Sequence, residues 1–164
     1  MKYNIREATI EDAKGKGYVH YTSWMETYSG LIKQEYLDTR SLDRCIVIAK
    51  RHPENTYILE VDNLIVGFAC YNESRDEDLQ NAGEVKAIYL LKEYYGQGFG
   101  RKLMDACLSK LTQYNQIGIW VLATNKRAIE FYEHLGFIAD GLEKHVPVSE
   151  ASALHEIRMI LETK

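Results

Sequence analysis

Apolar and polar positions alternate from Tyr3 to Ala8, the period of a half-buried strand. Thr9 and Asp12 then form a capping box for a helix. Gly15 and Gly17 cost that helix roughly 1 kcal/mol each against Ala, so its first turns read as weak. Further along, Tyr21, Trp24 and Tyr28 recur at three- and four-residue spacing and share one face. Gln34 to Thr39 predicts a short second helix. Ser41 caps a third, with Leu42, Cys45, Ile46, Ile48 and Ala49 apolar, ending near Pro53. Asn55 to Val61 and Leu64 to Tyr71 read as strands joined by an Asp62-Asn63 hairpin turn. Asn72 to Ala82 is polar and acidic. An apolar run follows (Val85, Ala87, Ile88, Tyr89, Leu90, Leu91), then a polar turn and glycines at 96, 98 and 100. After them comes a helix with Leu103, Met104, Cys107, Leu108 and Leu111 on one face. Gln116 to Leu122 is a strand, and Asn125 to Leu135 a helix stopped by Gly136. Phe137 to Val148 and Ala153 to Leu161 close the chain as two strands, with Pro147 near their junction. This order predicts a mixed α/β fold around one sheet, and with no internal repeat or linker it predicts a single domain over residues 1–164.

Composition narrows the setting. A chain of 164 residues is long enough for one full core. No apolar run approaches the ~20 residues of a membrane span, and the polar, charged N-terminus does not read as a signal peptide. Cys45, Cys70 and Cys107 lie in apolar runs and form no C-x-x-C pair, so they read as reduced core thiols of a cytoplasmic protein. The 24 acidic and 20 basic residues leave a net charge of −4, which argues against general nucleic-acid binding. No His, Cys and carboxylate spacing suggests a metal.

The stretch from Glu84 to Leu111 carries the chemistry. A strand, a glycine-rich turn and a helix start bring bare N–H groups against an anion, because glycine lacks a Cβ and a helix N-terminus has unpaired donors. Arg101 and Lys102 add charge. A dinucleotide fingerprint would need Gly where Arg101 stands, and a P-loop would need a G-K-[ST] tripeptide that the chain lacks. Taken alone, the glycines are equally a flexible turn.

The segment Tyr95-Gly96-Gln97-Gly98-Phe99-Gly100 resembles the acyl-CoA pyrophosphate loop of the GNAT (N-acetyltransferase) superfamily, Gln/Arg-x-x-Gly-x-Gly/Ala, with Tyr95 in place of the first residue. A second block is similar to the same family: Asn125, Ala128, Phe131, Tyr132, Gly136 and Phe137. The words from Ser23 to Gly30 look like the first helix of small bacterial members. The resemblance implies a GNAT-like acyl-CoA N-acyltransferase fold, with a mainly antiparallel mixed sheet flanked by helices. It implies that the strands at 84–91 and 116–122 splay apart for acetyl-CoA. The pantetheine arm would pair with the backbone of Ile88, Tyr89 and Leu90 and bond Asn125. The pyrophosphate would sit on the loop from Tyr95 through Gly96, Gln97, Gly98, Phe99 and Gly100 to Arg101.

For catalysis the resemblance places Tyr132 as the acid that protonates the departing thiolate. A phenol with pKa near ~10 suits that thiol. By pattern alone Tyr132 reads rather as a core aromatic on the helix face of Ala128 and Leu135. Glu84 is the candidate general base, with water as its alternative. Trp24 and Tyr28 are candidate walls of the acceptor pocket, or core packing. The expected activity is acetyl transfer, without an acyl-enzyme, to a primary amine of a small molecule or peptide. The alternative is a non-catalytic acyl-CoA-binding or sensing module. The aromatic stripe and the acidic segment favour a small cationic amine, and the Tyr-rich surface is compatible with a homodimer.

Overall fold

The computed structural model describes residues 1–149 and 152–163. Its elements follow the predicted order. β1 is Tyr3–Glu7; α1 is Ala13–Tyr28, entered through a single tight turn at Ile10–Asp12; α2 is Gln34–Leu37; and α3 is Leu42–Arg51. β2 is Thr56–Val61, β3 is Leu64–Glu73 and β4 is Gly83–Leu90. α4 is Phe99–Leu108, β5 is Gln116–Leu122 and α5 is Lys126–His134. β6 is Ile138–Ser149 and β7 is Ser152–Glu162. Among the described residues these strands form one seven-stranded sheet in the order β1-β2-β3-β4-β5-β7-β6. Every neighbouring pair is antiparallel except β4 with β5. That pair is parallel because α4 carries the chain back between them, as parallel strands require.

Local chemistry sets the joints. The N–H of Thr9 donates to the Asp12 carboxylate at 2.7 Å, and Arg6 of β1 grips the same carboxylate with two bonds of 2.9 Å. The cap therefore also ties α1 to the edge strand, and Arg6 holds the Asp12 carboxyl below its usual range. Asp62 and Asn63 both take positive φ, 49° and 68°, the hairpin geometry their residue types allow. Ser41 Oγ accepts from the N–H of Arg44 at 3.0 Å and starts α3.

The core lies on both faces of the sheet. α1 covers one face with α3 behind it, and α4 covers the other with Leu103, Met104 and Cys107 buried. Each such side chain contributes roughly 1.5–3 kcal/mol by leaving water. Burial pushes the Cys107 thiol up to about 12, so it is no nucleophile, and all three cysteines are free thiols.

The glycines of α1 have a purpose that periodicity does not show. A Cβ on Gly17 would lie 2.6 Å from the Ile46 side chain and 2.7 Å from its backbone, and one on Gly15 would lie 2.7 Å from Ile65. Their lack of side chains lets α1 lie directly on α3 and β3. Helix propensity alone predicts that Gly17→Ala stabilises by about 1 kcal/mol. The packing predicts the opposite sign, a net loss of about 1–2 kcal/mol from forcing α1 off α3. Urea unfolding checks this, and a gain in stability would show that the two helices part freely.

Candidate functional site

β4 and β5 pair only at Gly83 with Ile117 and Glu84 with Gly118. Beyond that point β4 stays with β3, and β5 stays with β7. The divergence begins at a bulge. Cys70 stands opposite Ala87 and Tyr71 opposite Val85, so Lys86 has no counterpart on β3. Such an extra residue bends its strand. Leu91 N–H donates to Val66 C=O at 2.9 Å. By antiparallel alternation, the N–H groups of Ile88 and Leu90 then point away from β3 and into the gap.

The gap widens into a cavity of about 550 Å³. Ile88, Tyr89, Tyr132, Trp24, Tyr28 and Glu84 all reach its wall, so the structure brings together side chains that lie more than a hundred residues apart in the chain. Tyr21 is not on that wall; of the predicted aromatic stripe, Trp24 and Tyr28 are. Trp24 Nε1 donates to the Tyr89 hydroxyl at 3.1 Å. Burial pushes the Tyr89 phenol up to about 12 and raises those of Tyr28 and Tyr132 further still, with neighbouring phenols adding to the effect. Each therefore keeps its proton throughout the neutral range. Tyr132 is 7% exposed, and its hydroxyl has no hydrogen-bond partner among the described residues. The cavity wall thus carries a proton-bearing phenol that has no acceptor among the described residues.

Glu84 is buried at 2% exposure, and Arg75 holds both of its oxygens through its guanidinium and main-chain N–H. Sequence reading overlooked Arg75, Lys86, Lys144 and Glu156, which line the same wall. Lys144 and Glu156 face one another across β6 and β7 at 3.7 Å. The available signal was the polar residues interrupting otherwise apolar alternate positions of those strands.

The glycine turn lies at the start of α4. Gly96 and Gly98 take φ of 75° and 82°, and a Cβ on either would meet nothing within 4 Å. The space beside them is open, as a cradle for an anion requires. Gly98 is the residue capping α4, whose first N–H groups face the same turn. Gly100 differs from its two neighbours: a Cβ there would touch the Phe131 ring at 3.2 Å, so this glycine lets α4 pack on α5. Phe99 is buried against Tyr3 and Tyr94, whereas Gln97 and Arg101 are exposed. Over Tyr95, where the resemblance called for Gln or Arg, stands the guanidinium of Arg127, 4.0 Å from the ring. A cation thus returns to that corner from α5. Asn125 caps α5, its Oδ1 accepting from Ala128 N–H at 3.3 Å, and it is not on the cavity wall.

The acidic segment behaves unlike a free rim. Asp76 and Asp78 both bind Arg158, at 3.2 and 2.6 Å, and Asp76 also accepts from Trp120. Arg158 is 4% exposed and holds Asp140 as well. These carboxylates are spent on an internal cation, which removes one argument for a cationic acceptor.

Behind Trp24 stands a support. Arg40 lies 4.1 Å over the indole and donates to His20 Nε2 at 3.1 Å. Burial, then the charges of Arg40 and Lys16, push His20 down to about 4. The ring is therefore neutral at pH 7 and can accept from Arg40. Unfolding restores a histidine of pKa about 6.5. The unfolded chain thus binds more protons between pH 6.5 and 4, and stability falls as pH drops through that window. The loss is expected to reach on the order of 3 kcal/mol. In His20→Gln most of that slope should vanish when unfolding free energy is measured against pH.

The opening between β4 and β5 thus lies beside a glycine-rich helix start and carries a buried phenol on its wall. A profile of the Acetyltransferase (GNAT) family matches residues 10–137. The chain belongs to this family and is by class an N-acetyltransferase. It is 32% identical over 133 residues to YuaI, an uncharacterised N-acetyltransferase of Bacillus subtilis, covering 79% of this chain and 76% of that one. An uncharacterised N-acetyltransferase of Archaeoglobus fulgidus is 31% identical over 114 residues, 66% of this chain and 78% of the relative. The fold is similar to PaiA N-acetyltransferase from Thermoplasma acidophilum in complex with coenzyme A, with TM-score 0.73, 19% identity and 99% of both chains covered. It is also similar to YncA of Salmonella typhimurium, a putative acetyltransferase solved with acetyl-CoA, with TM-score 0.73, 17% identity, and 100% and 95% covered. Among the described residues no helix is long and apolar enough to cross a membrane.

Proposed function

We propose that this chain is a single-domain enzyme that moves the acetyl group of acetyl-CoA directly to a primary amine of a small molecule or peptide. The observation that carries the reading is the meeting, in one cavity, of the unpaired edge of β4 with the partnerless hydroxyl of Tyr132. The coenzyme A and acetyl-CoA bound to the similar PaiA and YncA folds support the choice of donor. In this reading the Gly96–Arg101 turn, with Tyr95 and Arg127 beside it, takes the pyrophosphate. The edge from Ile88 to Leu90 takes the pantetheine arm, and the amide side chain of Asn125 donates to it.

The amine nitrogen bonds to the thioester carbonyl carbon, and the N–H of Leu90 donates to the oxygen as it gains charge. The C–S bond then breaks, the sulfur takes the Tyr132 proton, and the second proton on nitrogen, shed as the amide forms, returns through water to the Tyr132 oxygen. The proton that leaves the ammonium passes through water to Glu84, which requires Arg75 to give up one of the oxygens it holds. Arg75 is 57% exposed and has room to move. Trp24 and Tyr28 form the wall against which the amine lies. A cytoplasmic setting, which the free thiols support, and a homodimer complete the reading; light scattering tests the latter.

The experiment is amine-dependent release of CoA thiol from acetyl-CoA. Tyr132→Phe is expected to lower kcat at least roughly tenfold, about 1.4 kcal/mol of barrier. Because burial keeps the phenol protonated, wild-type kcat should show no alkaline fall due to Tyr132 up to about pH 10. Glu84→Gln should lower kcat/KM most at acid pH, where more of the amine arrives protonated. Unchanged kcat in Tyr132→Phe would remove the tyrosine from its role.

A further inference from the structure

A second cavity, of about 560 Å³, adjoins the first across β4. The two share Lys86, Ala87 and Tyr89 in their walls. The second is lined on its far side by α1, the end of α3, and β3. Its charges do not balance.

Lys16 of α1 reaches this cavity while only 7% exposed. Its Nζ donates to the main-chain oxygen of His52 at 3.0 Å, reaches Thr56 Oγ1 at 3.5 Å, and stands 5.2 Å over the Phe68 ring. Among the described residues no carboxylate lies within ion-pair distance of it. Burying an ammonium without a counter-ion is costly unless an anion arrives to pair with it. Lys86, the bulge residue, also makes no ion pair among the described residues, and the bulge turns it onto the wall common to both cavities. Among the described residues the one carboxylate lining the second cavity, Glu54, is turned to His52 at 3.2 Å on an exposed rim. In the first cavity Glu84 has Arg75 and Glu156 has Lys144, which leaves Lys86 again without a match. Asn72 adds a buried carboxamide oxygen with no partner on this wall, a group that asks for a polar ligand.

We propose that the acceptor is a small amine that also carries an anionic group, a carboxylate or a phosphate monoester, seated in the second cavity between Lys16 and Lys86 while its nitrogen lies past Tyr89 in the first. This rests on the transferase reading above and names its substrate class. It reverses the preference for a cationic amine drawn from the acidic segment, two of whose carboxylates, Asp76 and Asp78, are held by Arg158. Each cavity lies in the range of small-molecule sites. A charge-assisted bond to a desolvated ammonium is strong enough to set the preference.

The test is steady-state kinetics of the full chain at saturating acetyl-CoA on four amines of similar length. γ-Aminobutyrate and phosphoethanolamine carry the two anions, butylamine is uncharged at its far end, and putrescine is cationic there. The anionic pair is expected to exceed butylamine in kcat/KM by at least about tenfold, and the larger of the two separates carboxylate from phosphate. Lys86→Ala should cut that preference about tenfold, mostly through KM, Lys86→Arg should keep it, and Lys86→Glu should shift it toward putrescine. Lys86 is the position to vary because it is exposed, whereas replacing the buried Lys16 threatens the fold. Two results overturn the inference alone: turnover of butylamine or putrescine at or above the anionic pair, or an anionic preference that survives Lys86→Glu. If none of the four amines releases CoA while a peptide amine does, this inference is overturned and the transferase reading stands; if neither does although coenzyme A binds, both fall.

Discussion

Two strands that pair for two residues and then part leave main-chain groups that the sheet cannot satisfy, and the rest of the molecule is arranged around that fact. Backbone N–H and C=O groups away from water need partners. Here the bulge at Lys86 starts the divergence, the crossover through α4 keeps β4 and β5 parallel, and β3 and β7 hold the outer edges of the two strands in place. The gap is therefore a stable opening and not a frayed edge. An extended acyl donor with amide groups of its own is the partner such an edge suits, in the manner of an added strand.

Around the opening, burial does the chemical tuning. Tyr28, Tyr89 and Tyr132 share a wall that water scarcely reaches, so each phenol holds its proton more tightly than in solution. The same desolvation keeps His20 neutral, which lets it accept from Arg40, which in turn stacks on Trp24, which donates to Tyr89. One physical cause thus yields both a phenol that keeps its proton on the cavity wall and a linked set of aromatic side chains beside it. The charges follow a different logic. Arg158 gathers three aspartates, Arg75 takes Glu84 and Lys144 takes Glu156, whereas Lys16 and Lys86, which line one cavity, make no ion pair among the described residues.

The glycines show how one residue type serves unrelated ends. At 96 and 98 the backbone takes a left-handed conformation beside open space. At 100 the same absence of a side chain admits Phe131, which seats the helix carrying Tyr132 against the glycine turn. At 17 it admits the backbone of Ile46. Spacing along the chain finds the first use and is blind to the others, since those depend on what lies opposite.

Periodicity, caps and turn residues determined the elements and their order, from the strand at Tyr3 to the closing hairpin, because each rests on contacts within a few residues. The two motif blocks determined the family, and with it the expectation that Tyr132 and the glycine turn belong to one site. Only the tertiary structure decided what each charge and each small residue faces. Nothing local predicts that Asp76 and Asp78 will meet Arg158 some eighty residues away, that Arg75 will cover Glu84, or that a bulge will turn Lys86 toward a second cavity with Lys16. Coulomb and packing energies depend on separation in space, and in this chain the sheet order, not the spacing in sequence, sets that separation.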